Sequence, residues 1–280
     1  MLDVLLDALL DALKIFPFIL LIYVLMEIIE NARNKEKIEK ALTGGFAPVF
    51  SGLLGVVPEC GFSVMCSKLY DKGMIRTGTL IAAFLSTGDE GLIVLISGGA
   101  PIDKILLMVG IKTVYAIIMG EVINVLLRRL DNKHICPEEN SCIECGEKHD
   151  KFWDKYLLHP LSHSAKTFVY ILIINIVFGL IIYFIGTERL EAFMSGSLYV
   201  HPIVAALVGL IPNCGASILI TESFLKGALS FGGLMAGLAS NAGIGLLILL
   251  KERKNFKRAL MIAAILFVLG VLLGYACIFI

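Results

Sequence analysis

Charged residues are scarce in this chain. Only 17% of its 280 residues are Asp, Glu, Lys or Arg, 58% are hydrophobic, and the mean hydropathy is +0.86. The formal net charge is zero and no basic binding module is present, so nucleic acid is not an expected partner. This composition lies outside the range of soluble domains and predicts an all-α integral membrane protein whose surroundings are a lipid bilayer.

The chain also lacks the signatures of other classes. It has no G-x-x-x-x-G-K-[ST] phosphate loop, so any active transport would draw on an ion gradient or a partner subunit. Its N-terminus has no basic leader before a cleavage site, which argues against a cleaved signal peptide. The polar residues inside its apolar runs include no histidine to pair with serine or cysteine, which disfavours an intramembrane enzyme.

The apolar runs differ in length. Runs such as Ile105–Leu127 and Ala259–Ile280 reach the ~20 residues needed to cross a ~30 Å hydrocarbon core. Phe46–Val57 and Ile203–Ile211 are shorter, and each leads into a Pro-x-Cys-Gly motif. The short runs therefore predict helices that break or re-enter within the membrane.

A long segment of the chain occurs twice. Residues 55–92 align without a gap on residues 209–246, at an offset of 154, with 13 of 38 positions identical. Two copies at so long a period are not a solenoid, whose units recur every ~20 to 50 residues. They predict a carrier with two pseudo-symmetric membrane repeats, residues 1–128 and 166–280, joined by a connector at 129–165.

Loop charges predict that the two repeats are inverted relative to each other. The loop at 31–40 carries four basic residues and its counterpart at 187–191 carries one, whereas 97–104 carries one and its counterpart 251–258 carries five. If basic loops are cytoplasmic, equivalent loops lie on opposite sides of the membrane. Each repeat then has an odd number of crossings, either five spans, or three spans plus a re-entrant hairpin at residues 45–70. The expected location is the inner (plasma) membrane, with the connector cytoplasmic and both termini outside.

Proline and glycine are expected to interrupt helices at equivalent places in the two repeats. Interrupted backbone within a membrane is tolerated only where it is buried in protein or lines a cavity. The predicted helix-break residues are Pro58, Gly61, Gly88, Gly91, Pro212, Gly215, Gly243 and Gly245.

Two adjacent acids lie inside an apolar run. Asp89 and Glu90 fall within Leu80–Ile96, where each charge costs ~2.5 to 3.5 kcal/mol near the bilayer centre, so they need a partner, a proton, a metal ion or a water-filled cavity. Glu59 lies beside the first break, whereas the second repeat is neutral at all three equivalent positions. The first repeat is therefore predicted to handle a cation, although a proton relay by the two acids stays open.

The predicted substrate or ion site combines oxygen and thiol ligands from both repeats. Oxygen ligands suit manganese, calcium or magnesium, and thiolates favour zinc, cuprous copper or trivalent arsenic. An alternative for the two cysteines is that they are small buried apolar residues. The candidate residues are Glu59, Cys60, Ser63, Ser86, Thr87, Asp89 and Glu90, with Asn213, Cys214, Ser217, Ser240 and Asn241.

The connector carries a second cluster of metal-ligand residues. Cys136, Cys142, Cys145 and His149 provide four ligands of the kind that tetrahedral zinc requires, with Cys142 and Cys145 in a C-x-x-C pair. Disulfides are rare in the cytoplasm, which favours zinc here, although a flexible connector with incidental cysteines is the alternative. Zinc would serve docking or sensing, and transport itself requires no cofactor.

With its two halves and paired Pro-x-Cys-Gly breaks, the chain resembles the ten-transmembrane heavy-metal exporters, also described as manganese transporters or arsenic efflux permeases. The resemblance implies a secondary-active carrier that exports a divalent transition-metal or metalloid ion. Exchange with protons by alternating access is the expected mechanism, and a homo-oligomer stays open. The alternatives are an ion channel, or a carrier of a small organic anion or lipid phosphate, for which Lys112 would be the buried basic residue.

Overall fold

A computed structural model describes residues 44, 46–56, 60–87, 90–128, 131, 168–169, 172–173, 176–177, 198–212, 214–251 and 256–279. The elements defined within these residues are all helices, as the composition predicts. The first five are α1 (Ala47–Leu54), α2 (Cys60–Asp71), α3 (Thr77–Ser86), α4 (Glu90–Ser97) and α5 (Ile102–Leu126). The second five are α6 (His201–Gly209), α7 (Cys214–Leu225), α8 (Phe231–Ser240), α9 (Gly243–Lys251) and α10 (Phe256–Ala276).

Four helical stretches in the described residues are long and apolar enough to cross a membrane. Two are unbroken helices, α5 and α10, and two combine a pair of short helices, α3 with α4 and α8 with α9. Within the most apolar window, 73% of α3–α4 and 94% of α8–α9 is buried, against 22% of α5 and 39% of α10. The broken stretches therefore form the centre of the molecule, while α5 and α10 present aliphatic side chains outward.

A repeated Lys-Gly pair ends the second helix of each set. Gly73 and Gly227 follow α2 and α7 with positive φ angles of 70° and 74°, a conformation that glycine adopts without a steric penalty. Beyond them, the N–H of Met74 donates to Leu69 O at 2.9 Å and the N–H of Ala228 donates to Ser223 O at 2.9 Å. These bonds close a helix C-cap, so the repeated pair has a structural role.

The first and second sets of helices pack internally in the same way. In the first set α3 packs against both α1 and α5, which also touch each other, and in the second set α8 packs in the same way against α6 and α10. The contact of α3 with α5 and that of α8 with α10 each contain a glycine pair, Gly78 with Gly120 and Gly232 with Gly274. A Cβ atom on Gly232 would lie 2.5 Å from Gly274 O, so the two backbones touch without an intervening side chain.

The first helix of each set runs alongside the third in the same direction. In the first set, Ser51 Oγ donates to Thr79 O at 3.1 Å, and four residues later Gly55 contacts Ser86. The chain then returns through α2, whose Tyr70 OH lies 3.1 Å from Thr77 Oγ1 at the start of α3. α1 and α2 therefore lead out along α3 and back to its beginning.

The second set repeats this course. The N–H of Ser230, at the start of α8, donates to His201 Nδ1 at 3.1 Å, and Ser240 Oγ, at the end of α8, donates to Ala206 O at 2.9 Å. The rings of Phe224 and Phe231 meet with centroids 6.2 Å apart, where α7 has returned to the start of α8. α6 and α7 thus also lead out and back along the third helix of their set.

The two sets interlock through their second and fourth helices. α2 packs on α9 and α7 packs on α4. At the first contact Ser67 Oγ lies 2.8 Å from Gly245 O, and at the second a Cβ on Gly91 would lie 2.8 Å from Thr221 Oγ1. Each set therefore contributes helices to the packing of the other, and one apolar core spans both.

Candidate functional site

The two broken stretches are interrupted near their middles. α3 has ten residues and α4 eight, which correspond to about 15 Å and 12 Å of helix. α8 and α9 have ten and nine residues, with Asn241 and Ala242 between them. Each stretch is 21 residues long overall, close to the thickness of a hydrocarbon core of roughly 30 Å. In a membrane that these stretches cross, both interruptions would lie near the midpoint.

At the first interruption, two of the predicted site residues make hydrogen bonds within their own helix. Ser86 Oγ donates to Ala83 O at 3.0 Å and Thr87 Oγ1 donates to the same oxygen at 2.6 Å, and both side chains are buried. Each hydroxyl has a single proton, which is used in these bonds, while its lone pairs stay available as acceptors. The hydroxyls at this interruption are therefore suited to binding a cation or a donor group.

At the second interruption, Ser240 Oγ lies 2.9 Å from Ala206 O and 3.1 Å from Gly237 O. Asn241 is 1% exposed, and its Oδ1 accepts a hydrogen bond from the N–H of Gly243 at 2.8 Å. That bond fixes which side-chain atom is the oxygen, and it leaves the Asn241 Nδ2 amide buried with no hydrogen-bond partner among the described residues. A buried donor left without a partner costs about 1 to 3 kcal/mol, which makes this amide a candidate ligand-binding group.

Lys112, near the middle of α5, joins the two interruptions. Its Nζ donates to Thr87 O at 2.7 Å and to Leu238 O at 3.0 Å, and the residue is 5% exposed. Thr87 follows the end of α3, and Leu238 is in the last turn of α8. One ammonium group therefore bridges the carboxyl ends of a helix from each set.

Lys112 is absent from the set of residues predicted to form the metal site. In the sequence it is a single lysine within a long apolar run, a pattern that indicates only the alternative function of carrying an anion. The helix ends that it joins are separated from it by 25 and 126 positions in the chain. The contact depends on tertiary packing, which the local sequence does not reveal.

The other described serines of the predicted site lie at the contacts between the two sets. Ser63, in α2, is buried where α2 meets α9, and a Cβ on Gly245 would lie 2.7 Å from Ser63 O. Ser217, in α7, is buried where α7 meets α4, and a Cβ on Gly91 would lie 3.4 Å from Ser217 O. The fold thus brings each serine beside a glycine of the opposite set.

The glycines predicted to break helices differ in position. Gly243 begins α9 with a positive φ of 53°, directly after the second interruption. Gly91 and Gly245 instead lie inside the first turns of α4 and α9, where they permit close packing. Gly61 and Gly215 lie in the first turns of α2 and α7, and Pro212 is buried just before α7.

Several predicted site residues lie outside the described part of the chain. These are Pro58, Glu59, Gly88, Asp89 and Asn213, together with the connector residues Cys136, Cys142, Cys145 and His149. Cys60, Glu90 and Cys214 begin helices, but their side chains are outside the description. Among the described residues, no three His, Cys, Asp or Glu side chains cluster as a metal site would require.

Comparison with known proteins identifies the family. A family model described as "Putative, 10TM heavy-metal exporter" matches residues 1–188 and 163–280, which together cover the whole chain. The chain belongs to this family. Membership agrees with the apolar helices of the fold, and the protein is a multi-pass membrane protein of a metal-transport family.

No curated protein matches the chain. No solved structure matches it either.

Proposed function

We propose that this protein is a secondary-active transporter that exports a divalent transition-metal or metalloid ion in exchange for protons by alternating access. The observation that carries the proposal is the meeting of the two interrupted helical stretches at Lys112, in a member of a heavy-metal exporter family. Helix interruptions near the midplane, one from each half of a duplicated carrier, are the usual place for substrate and coupling ions. A transporter family is not a class of enzymes.

The two halves, residues 1–128 and 166–280, are inverted repeats in this proposal. α2 returns to the side of the membrane where α3 begins, and α9 packs against α2. α9 therefore leads from the midpoint to that same side, so that α8 begins on the opposite side. In the same way, α7 returns to the side where α8 begins and α4 packs on α7, so α4 leads from the midpoint to that opposite side. Both lines of contact support opposite directions for α3 and α8.

The same contacts support one of the two predicted span counts. Because α1 runs alongside α3 as far as the first interruption and α2 comes back, the pair is best explained as a re-entrant hairpin. In the sequence the Pro-x-Cys-Gly motif joins α1 to α2, and α6 with α7 would form the equivalent hairpin in the second half. Each half would then have three spans and one hairpin, which makes five apolar segments per half.

The charge of the loops fits this arrangement. In the sequence the basic loop at 31–40 comes before α1 and the basic loop at 251–258 comes at the end of α9, so this arrangement would put both on the side where α3 begins. Since basic loops usually face the cytoplasm, that side would be the cytoplasmic side of the inner (plasma) membrane. α5 ends on the same side, so the connector at 129–165 would be cytoplasmic.

The proposed substrate site lies between the interruptions. It combines main-chain carbonyls, the acceptor lone pairs of Ser86, Thr87 and Ser240, and the carboxylates of Asp89 and Glu90. Oxygen ligands of this kind suit divalent ions, and Cys60 and Cys214 would extend the choice to softer ions. Protons would return on the acids, with Glu59 as the third candidate, because the sequence contains no ATP-binding motif.

One observation favours a second candidate. The unpartnered Asn241 Nδ2 and the Lys112 ammonium are both donors, and donors suit a substrate with oxygen acceptors, such as a small organic anion or phosphate. A bare metal ion cannot accept a hydrogen bond, whereas a hydrated ion or a hydroxylated metalloid can. Transport assays with both kinds of substrate separate the two candidates.

The test uses purified protein in liposomes that contain a pH-sensitive dye. Gradients of manganese, zinc, cadmium and arsenite are imposed in separate arms, with citrate and inorganic phosphate as anion arms. A metal exporter coupled to protons moves protons in at least one metal or metalloid arm and in neither anion arm. If substrate on the far side of the membrane does not accelerate uptake, the protein is instead a channel.

The acids are tested with the double substitution Asp89→Asn and Glu90→Gln, which we expect to abolish metal-driven proton flux because neither side chain can then carry a proton. The matched control is Glu222→Gln, since Glu222 is an exposed acid whose ion pair with Lys226 at 3.8 Å lies on the surface. Flux equal to wild type in the double variant would remove the acids from the site.

A further inference from the structure

The carboxyl ends of α3 and α8 form a place where positive charge is favoured. The last four carbonyls of a helix lack partners within the helix, and the helix dipole adds a partial negative charge there. Thr87 O and Leu238 O point at one position near the membrane midpoint, 2.7 Å and 3.0 Å from Lys112 Nζ. A metal cation that prefers oxygen ligands would meet the same two carbonyl oxygens as the ammonium group does.

The lysine at this position distinguishes the two halves. At the offset of 154, Lys112 corresponds to Leu266, which is fully buried in α10. Four helices pack on α5: α1, α3 and α8 contain no ionisable side chain, and α4 begins with Glu90. In the sequence, Asp89 and Glu90 directly follow the segment that ends at Thr87. The positive charge and the two acids therefore belong to the same half and to the same interruption.

We propose that Lys112 is a tethered cation of the transport cycle. In the empty carrier its ammonium group bridges Thr87 O and Leu238 O, and a transported metal ion displaces it from these oxygens. This inference rests on the proposed export of a cation, and it adds a role that the acids cannot supply. Lys112 balances the partial negative charge of the two helix ends when the carrier returns without its metal ion.

A tethered cation has a specific consequence for kinetics. In metal-for-metal exchange the site holds a metal ion in both directions, so no other cation is needed. In net efflux the metal-free carrier returns with protons on its acids, and the two helix ends, which those protons do not neutralise, still need a cation in the membrane interior. Removing the ammonium should therefore slow net efflux while exchange continues.

The test compares Lys112→Gln with wild type in liposomes loaded with Mn²⁺, or with Zn²⁺ if wild type moves only zinc. We expect Lys112→Gln to retain exchange and to lose net efflux by roughly tenfold or more, and to bind Mn²⁺ or Zn²⁺ roughly tenfold more tightly, because the competing charge is gone. The control is Lys104→Gln, an exposed lysine on the same helix.

A second variant keeps the test decisive if Lys112→Gln does not fold. Lys112→Ala removes three carbons and the ammonium, which propylammonium replaces. Net efflux that recovers with added propylammonium, and not with sodium, supports the tethered cation. Net efflux that does not recover in folded Lys112→Ala refutes it.

Two other outcomes would overturn the inference while leaving the exporter intact. Equal loss of exchange and net efflux in folded Lys112→Gln would mean that the lysine is needed with metal bound. Unchanged net efflux would mean that it has no part in the return step. Absence of metal and metalloid transport by wild type would refute the proposed function itself, and the tethered cation with it.

Discussion

A single methyl group at Gly245 should test the contact between the two halves. The substitution Gly245→Ala places a Cβ 2.7 Å from Ser63 O, 2.8 Å from Phe84 Cε1 and 2.9 Å from Ser67 Oγ. Ordinary van der Waals contact begins near 3.4 Å, so α2 and α9 must move apart. Overpacking of this kind costs about 1 to 3 kcal/mol.

Two further terms act on the same variant. The single proton of Ser67 Oγ is shared between Gly245 O and Ser63 O, each at 2.8 Å. Lengthening the bond to Gly245 O therefore costs at most about 1 kcal/mol. In the opposite direction, alanine favours a helix over glycine by about 1 kcal/mol. These two terms nearly cancel, so the free energy of unfolding in detergent should fall by about 1 to 3 kcal/mol.

Gly110 provides the matched control. It lies in α5, and a Cβ there meets nothing within 4 Å, so Gly110→Ala should gain only the helix term and raise stability by about 0.5 to 1 kcal/mol. Both variants are compared with wild type by denaturant unfolding and by net metal efflux. A Gly245→Ala protein as stable and active as Gly110→Ala would refute the close packing of α2 on α9.

Two other predictions concern ligands. Asn241→Asp keeps the acceptor for the N–H of Gly243 but replaces the amide donor by a carboxyl oxygen, so transport by the folded variant should fall at least tenfold, and burial of the new carboxyl group should lower thermal stability; unchanged transport would show that Nδ2 does not contact the substrate. Replacing Cys142 and Cys145 by serine should remove bound zinc and leave transport measurable, which elemental analysis and the liposome assay check; zinc content equal to wild type would contradict the connector site.

The sequence predicts the class of protein and the approximate position of the interruptions for clear physical reasons. Composition determines that the chain is membrane-embedded, and polar residues at Ser86 and Ser240 within apolar runs mark where helices end. Both signals are local. The family resemblance was confirmed because it rests on the arrangement of the whole chain.

The roles of individual residues were harder to predict. Gly91 and Gly245 are repeated beside polar residues, which suggests a break, yet they lie in helices and face the opposite half. Lys112 looks like an isolated charge until α3 and α8 bring their carboxyl ends to it. The two cases have one origin, since long-range partners decide what a small or charged residue does.

The interlocked packing of α2 on α9 and α4 on α7 has a consequence for how the protein is made. When the first half has been inserted, its second and fourth helices still lack the surfaces that cover them, because those surfaces are synthesised later. Ser67 Oγ, for example, gains its contact with Gly245 O only after 178 further positions have been added. The first half must therefore wait in the bilayer as an incomplete unit, and final assembly follows synthesis of α9.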